Sequence, residues 1–584
     1  MERRLLLVFA LTFVVVIASQ WILKKYQPTA PQTTQQAAPL QAPAATPAPA
    51  ASAPSPTASR SASRVPSRSA KPATKLIGQL VPQQAANETE TIVENELYRI
   101  TFSNRGGQVK SWILKQFTDD KGGELELVNP AAADLYGYPL SLWTYDETLR
   151  NKLNSALFVV SPAGKVSAPA EISFDYSDGD VAVHKTLKFD HTYVVQVQTS
   201  VQVNGSDISA FPMWPAGFGD STSASGFAAG KIEYQNPSTI ERLAIKKISS
   251  GGTVQGPFHW AGISDQYFAA VFLPGDSQTT ALVTLRNALN VPRDPKNPAG
   301  EKLKVEVLGA AVGNLKGATR EQLYVGPKSL SVLQSIPVPA IGGTEPDLHA
   351  LVDYGWLGVI ARPLFVWLKW TYVHIVHNWG WAIMIQTLII NLALLPLRVS
   401  QMKSMLKMQR VAPQIKSIQE KYKKYSMRDP RKQPMNEEIS ALYKKEGVNP
   451  AGGCLPLIIQ MPFLFAYYRM LGVALELRHA PWVWVHDLSS PDPLHLLPVA
   501  IIVTMLFMQK TTPQAGMDPA QQKMMNFMMP MMLGIISWNL AAGLCLYWSV
   551  GNLIAIVQQS VMNRTELGRE MREMMEKRAR KAAK

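Results

Sequence analysis

Cysteine is scarce: Cys454 and Cys545 are the only two in 584 residues, and both lie in or beside apolar runs. That argues against a disulfide framework and against a cysteine-based zinc site. Catalytic signatures are missing as well, with no HExxH, GxSxG or P-loop pattern anywhere in the chain. Ser404-Met405-Leu406-Lys407 fits a bare SxxK, but it sits in a basic helical stretch without partner motifs and is a chance match. The histidines are scattered, and His374 and His377 fall near an interface, where imidazoles more often solvate than catalyse. The apolar runs hold no series of Asp or Glu that would mark a proton or ion path. No internal repeat with paired, interrupted half-helices is visible, which counts against a secondary transporter.

What the chain does have is a partition. The middle is mixed and polar, and the ends carry long apolar runs. The net charge of +15 is concentrated beside those runs, as in the cytoplasmic loops of a membrane protein. Residues 5–23 follow Arg3 and Arg4 and would reach about 28 Å as a helix, enough to cross a hydrocarbon core. Ala18 and Ser19 give a cleaved signal peptide some support, but the apolar run continues through Trp21, Ile22 and Leu23 and favours an uncleaved anchor, residues 1–26. Residues 27–79 are rich in Pro, Ala, Ser, Thr and Gln and read as a disordered tether, because they cannot bury enough apolar area to offset chain entropy. Residues 80–345 alternate in the manner of strands, as in 181–187 and 193–198, with Gly, Pro, Asn and Asp at turn spacing. They predict one large antiparallel sandwich.

Residues 346–378 mix Trp356, Trp367 and Trp370 with Arg362 and Lys369 and predict an interfacial amphipathic helix. Five further spans are expected near residues 379–397, 454–475, 494–508, 524–540 and 544–561. The charge of the loops orients them. The basic segment 399–447 belongs in the cytoplasm, the 476–493 loop outside, and the basic tail 563–584 inside. Six spans with both termini in the cytoplasm satisfy every short loop; a seventh at 356–371 would put the most basic loop outside. Segment 399–447 reads as an antiparallel helical hairpin, its second helix capped by Asn436 and ended by Gly447. Its basic surface (Lys421, Lys423, Lys424, Arg428, Arg431, Lys432) suits lipid headgroups, ribosomal RNA or an acidic partner, although a solvated connector would look similar. The fold class is thus an α-helical polytopic bundle joined to a large all-β domain.

Polar residues inside the spans are the candidates for function. Gln386, Thr387 and Asn391 occupy one span, with Thr387 and Asn391 one turn apart on one face; Gln460, Tyr467, Tyr468 and Arg469 occupy the next. Helix-to-helix hydrogen bonding accounts for Gln460 and Thr387 but poorly for Arg469, about two turns inside the outer end of its span. Methionines Met505, Met508, Met528 and Met532 lie in the last spans and form either lipid-facing filler or an adaptable wall for apolar helices.

Specific motifs add to this. Gly447-Val448-Asn449-Pro450-Ala451-Gly452-Gly453-Cys454-Leu455-Pro456 continues to Gln460-Met461-Pro462, supported by Asp353-Tyr354-Gly355-Trp356-Leu357, Asn378-Trp379-Gly380, Glu476-Leu477-Arg478, His486-Asp487-Leu488, Asp518-Pro519 and Asn104-Arg105-Gly106-Gly107. In these the chain resembles the YidC membrane insertase family, in its Gram-negative form with a large periplasmic domain. The resemblance implies a noncatalytic insertase and chaperone in the bacterial inner membrane, with no cofactor. It further implies a hydrophilic groove closed toward the periplasm and a periplasmic supersandwich like that of sugar mutarotases. Nascent membrane proteins are the implied clients, received alone or with the Sec translocon; the ribosome and anionic lipids are expected at the basic loops. A transporter or channel using the same polar spans is the alternative. One departure stands out. The family's groove arginine position holds Asn391, five residues before Pro396-Leu397, and a family tyrosine is replaced by Arg469. Arg469 is therefore expected to supply the groove's positive charge from the facing helix, with Arg398 as the competing supplier. The expected groove lining is Gln386, Thr387, Asn391, Arg398, Gln460, Tyr468 and Arg469.

Overall fold

The computed structural model describes residues 82–221, 224–293, 297, 299–336, 348–422, 433–448, 455–511, 524–566, 568–570 and 573. All of them belong to the compact unit Leu76–Lys584. The expected first span and tether therefore lie outside the described residues.

Alternation of apolar and polar residues builds the β domain. Strand Val181–Phe189 pairs antiparallel with Val194–Val203, from Val195 opposite Phe189 to Val203 opposite Val181. Among the described residues the domain has three sheets of five, ten and five strands. Aromatic rings join them: Phe102 of the first sheet packs on Phe174 and Phe189 of the second, and Trp112 of the first on Trp214 of the third. The antiparallel expectation needs one correction, since Glu90–Glu94 pairs in parallel with Gly164–Ser167. The strand Phe268–Pro274 is buried on both faces, so it shows no alternation.

Two ionisable side chains, Lys185 and Glu88, brace the turn at 104–107. Lys185 is fully buried, which pushes its pKa down to about 7, and its Nζ donates to the carbonyl oxygens of Gly106, Gly107 and Leu140 at 3.2, 2.8 and 2.7 Å. Glu88 accepts from Ser103 Oγ at 2.7 Å and from Arg105 Nε at 3.0 Å, with Lys110 Nζ also at 3.0 Å. These partners, Ser103 first, then Lys110 and Arg105, pull the Glu88 carboxyl down to about 2 from 4.5. A depressed acid stabilises the fold above its unfolded value and loses that contribution as the pH falls through the folded one. Melting temperature should therefore fall between pH 4.5 and about 2 with a Glu88-dependent slope. Glu88→Gln should flatten that part of the profile, and identical profiles would refute the assignment.

The C-terminal part is helical. Helix α1 spans Gly358–His374, α2 Trp379–Ala393, α3 Leu395–Lys421, α4 Gln433–Lys445, α5 Leu455–Val473, α6 Leu496–Thr511, α7 Met529–Ser537 and α8 Ala542–Met562. Asn378 caps α2 through Trp381 N. Pro396 in the first turn of α3 cannot continue the hydrogen-bond ladder, and α2 and α3 meet at a 48° bend. Among the described residues α8 alone is long and apolar enough to cross a membrane, with the bent α2–α3 pair as a second candidate; the stretches Leu496–Gln509 and Asn526–Ser537 are shorter. Helix α1 buries Ala361, Leu364, Phe365 and Leu368 while Val359, Val366 and Trp370 remain exposed, so both of its faces are apolar.

Helices α3 and α4 pack through Val411 and Ile415 against Ile439, Leu442 and Tyr443, and the connection expected to join them as a hairpin, residues 423–432, lies outside the described residues. The second helix begins earlier than expected. Asn436 lies inside α4 rather than at its cap, because Pro434 suits a first turn that needs no amide donor. Lys421 of α3 pairs with Glu438 of α4 at 2.7 Å; Lys423, Lys424, Arg428, Arg431 and Lys432 lie outside the described residues.

Candidate functional site

A polar seam runs through the bundle where α2 meets α8. At its outer end the Tyr467 hydroxyl of α5 donates to the Gln386 carbonyl oxygen, and Gln386 Nε2 donates to Leu364 O at 2.9 Å. Tyr467 stacks on Tyr547 of α8, with ring centroids 4.0 Å apart. Next along α2, Thr387 donates to Ile383 O at 2.6 Å and faces Gly551 of α8. At the inner end Asn391 donates to Thr387 O at 2.8 Å, accepts from Arg398 Nη2 at 3.1 Å through its side chain, and accepts from Gln558 Nε2 at 3.1 Å through its backbone carbonyl. Gln386, Thr387 and Asn391 are buried, Asn391 to 2% exposure. A second polar contact on α8 links Asn552 to Thr504 of α6 at 3.1 Å.

The seam is mostly self-satisfied, as buried polar groups in an apolar bundle must be. Two features of its inner end are exceptions. Gln558 Oε1 is buried without a hydrogen-bond partner among the described residues. Arg398, half-buried, makes no ion pair among the described residues; its polar contact is the amide of Asn391. Arg398, not Arg469, is thus the cation beside Asn391.

Arg469 points elsewhere, which corrects the sequence expectation. It contacts Asp353, 3.4 Å from Oδ2, at the boundary with the β domain. Tyr467 and Arg469 are two residues apart, hence about 200° around the helix, and cannot share a face. For the same reason Tyr467 rather than Tyr468 enters the seam; Tyr468 is 47% exposed. The Gln460 side chain lies outside the described residues. Of the methionines, Met505 is buried as core filler, Met508 and Met532 are half-buried, and Met528 is 46% exposed, so a continuous Met wall is not formed by these four. Sequence reasoning passed over Gln558, Asn552, Tyr547 and Thr504. Asn552 and Gln558 stand out as polar residues within an apolar run, and that signal was available.

The outer end of the seam is covered by the loop after α5. Buried Asp492 accepts from Trp484 Nε1, Leu494 N and Leu497 N at 3.1, 3.0 and 2.8 Å, and Asp487 accepts from His479 N and Ser489 N at 3.0 and 2.8 Å. Trp482 packs closely against Gly380 of α2, where a Cβ would stand 2.1 Å from Trp482 Cδ1. Gly380→Ala should therefore displace the loop and lower stability by about 1–3 kcal/mol, the usual range for overpacking. Thermal melting in detergent measures this, and an unchanged melting temperature would show that Trp482 is free to move. No group of three or more His, Cys, Asp or Glu side chains among the described residues is placed to hold a metal.

Similarity to known proteins covers both regions. Residues 90–367 match the family described as YidC periplasmic domain, and residues 370–569 the family described as 60Kd inner membrane protein. The Membrane protein insertase YidC of Geobacter metallireducens is 32% identical over 512 residues, covering 82% of this chain and 86% of that protein. The Membrane protein insertase YidC of Methylobacillus flagellatus is 30% identical over 496 residues, covering 81% and 83%. A solved structure, described as an active YidC insertase crystal structure with the first transmembrane domain resolved, is 22% identical over 84% of this chain and 96% of that chain, at a TM-score of 0.34.

Proposed function

Because the chain belongs to the YidC membrane protein insertase family, we propose that Arg398, at the inner end of the polar seam, receives nascent membrane proteins on their way into the inner membrane. The observation that carries this reading is a half-buried guanidinium with an amide partner and no carboxylate partner among the described residues. A cation in that setting attracts a carboxylate more strongly than one in bulk water, since the effective dielectric is lower. An acidic extracytoplasmic segment of a client would pair with Arg398 first. The unpaired Gln558 Oε1 beside it offers an acceptor to water or to a client amide. Apolar client segments would then leave sideways into lipid, with Met528 and Met532 as adaptable contacts.

Entry requires the buried seam to open, by separation of α2 from α8 at Asn391 and Gln558. The remaining assignments follow the charge and apolarity of the chain. Both termini and the α3–α4 hairpin face the cytoplasm, where basic residues meet ribosomes and anionic lipids. The domain of residues 80–345 faces the periplasm, and the exposed Val359, Val366 and Trp370 of α1 rest in the outer interface. Chaperoning beside the Sec translocon is part of the same reading, and it involves no cofactor and no catalytic step. Photo-crosslinkers placed at 387, 391 and 398 should capture a stalled nascent membrane protein. Labelling from exposed positions on α1 but none from these three would sink the reading.

A further inference from the structure

Asp353 stands where the β domain meets the bundle, and three cations converge on its carboxylate. Lys231 Nζ, on strand Lys231–Gln235, lies 2.8 Å from Oδ2. Arg242 Nε, on strand Ile240–Leu243, lies at 3.8 Å, and Arg469 Nη2 of α5 at 3.4 Å. Arg469 Nη2 also donates to the Asp353 carbonyl oxygen at 3.0 Å. The other carboxylate oxygen accepts from Gly355 N at 2.9 Å, which fixes the carboxylate's orientation. Gly355 has φ +65°, and a Cβ there would stand 3.4 Å from Arg469 Nε, so the turn brings bare backbone under the guanidinium. Arg242 in turn holds buried Glu233 at 2.8 Å and the carbonyl of Ala350 at 2.6 Å.

Two strands of the β domain and one helix of the bundle therefore share a single anion. Burial pushes the Asp353 carboxyl up, but Lys231 and then Arg242 hold it well below the usual carboxylate range, so it stays ionised in any periplasm-like medium. Neighbouring contacts join the same two bodies: Gln266 Nε2 donates to Gly472 O at 2.8 Å, and Ser329 Oγ to Glu476 at 3.2 Å. Helix α5 thus carries the lock on one face and Tyr467, which enters the seam, on the other.

We propose that Asp353 is an ionic hub locking the β domain to the outer end of α5, and that Arg469 is a positioning residue acting through this lock without touching the client. The lock fixes the rotation of α5 and with it the Tyr467–Gln386 contact. Removing Arg469 leaves the β domain held by weaker contacts and lets α5 turn.

The test uses the full chain with Cys454→Ser and Cys545→Ser, and with cysteines at Thr118 and His479, whose side chains meet across the same boundary at 3.0 Å. A short bis-maleimide joins the two when the domain is docked. In limiting reagent Arg469→Ala and Asp353→Asn should each lower crosslink yield roughly fivefold, in the range of one ion pair. The double variant should do no worse than either alone. Arg469→Lys keeps the charge and should keep the yield, and Arg469→Gln removes the charge with little loss of volume. Insertion of a single-span client with an acidic extracytoplasmic tail should fall in Arg469→Ala and recover once the protein is crosslinked in advance. Unchanged yield, unchanged insertion, or a defect that survives crosslinking overturns the proposal; the last returns Arg469 to direct client contact. The yield arm reads docking alone, so it stands or falls independently of the insertase reading.

Discussion

Arg398→Ala should reduce insertion of a client with an acidic extracytoplasmic tail by about tenfold or more, while a client with a neutral tail loses little. Two unit charges about 5 Å apart at an effective dielectric near 20 attract by roughly 3 kcal/mol. Desolvation and salt take back part of that, and about 1.4 kcal/mol remaining is already a factor of ten. The asymmetry between clients is the informative quantity. Arg398 also anchors Asn391, so a purely structural loss would affect every client alike. Arg398→Lys keeps the charge but not the planar donor set and should retain most activity. Arg398→Glu should invert the preference toward basic tails. Protease protection of translocated tails in proteoliposomes measures all three. Equal losses for acidic and neutral clients would remove the electrostatic mechanism.

Lys185→Met should cost the β domain roughly 3–5 kcal/mol, because three buried carbonyls lose their shared donor in one step while the side-chain volume barely changes. The affected carbonyls belong to Gly106, Gly107 and Leu140, all wrapped around a residue with no exposed surface. In a domain of this size each kcal/mol moves melting by about 2–4 °C, so a fall on the order of 10 °C is expected in the thermal profile of the full chain. Proteolysis should begin near residues 104–107. A melting temperature within about a degree of the parent would mean that water satisfies the carbonyls, and that Lys185 is dispensable.

The helices of the bundle were legible because apolar runs have to satisfy their own backbone, and helix formation does that within the segment. Helices α2, α5, α6, α7 and α8 fall on the five stretches expected as spans, although among the described residues only α8, or α8 with the bent α2–α3 pair, is long and apolar enough to cross a membrane. The β domain was legible from period-two alternation, except where Phe268–Pro274 is buried on both sides. Polar residues in the spans were recognisable as special, and Gln386, Thr387 and Asn391 do meet in one seam. Their partners were harder to see. Helix α8 supplies Gln558 and Tyr547 to that seam, and nothing local says which face of α8 turns toward α2.

Arg469 shows the limit most clearly. Its sequence position, in the span after Asn391 and at the place of a family tyrosine, suggested a relocated groove charge. Composition and order along the chain determined that this protein has an apolar helical bundle, a β domain and a few costly polar groups between helices. Which polar group faces which was decided only by helix rotation and by the docking of the β domain. Those depend on contacts between residues more than a hundred positions apart, as between Asp353 and Arg469, and a side chain's direction around a helix changes by about 100° with every residue.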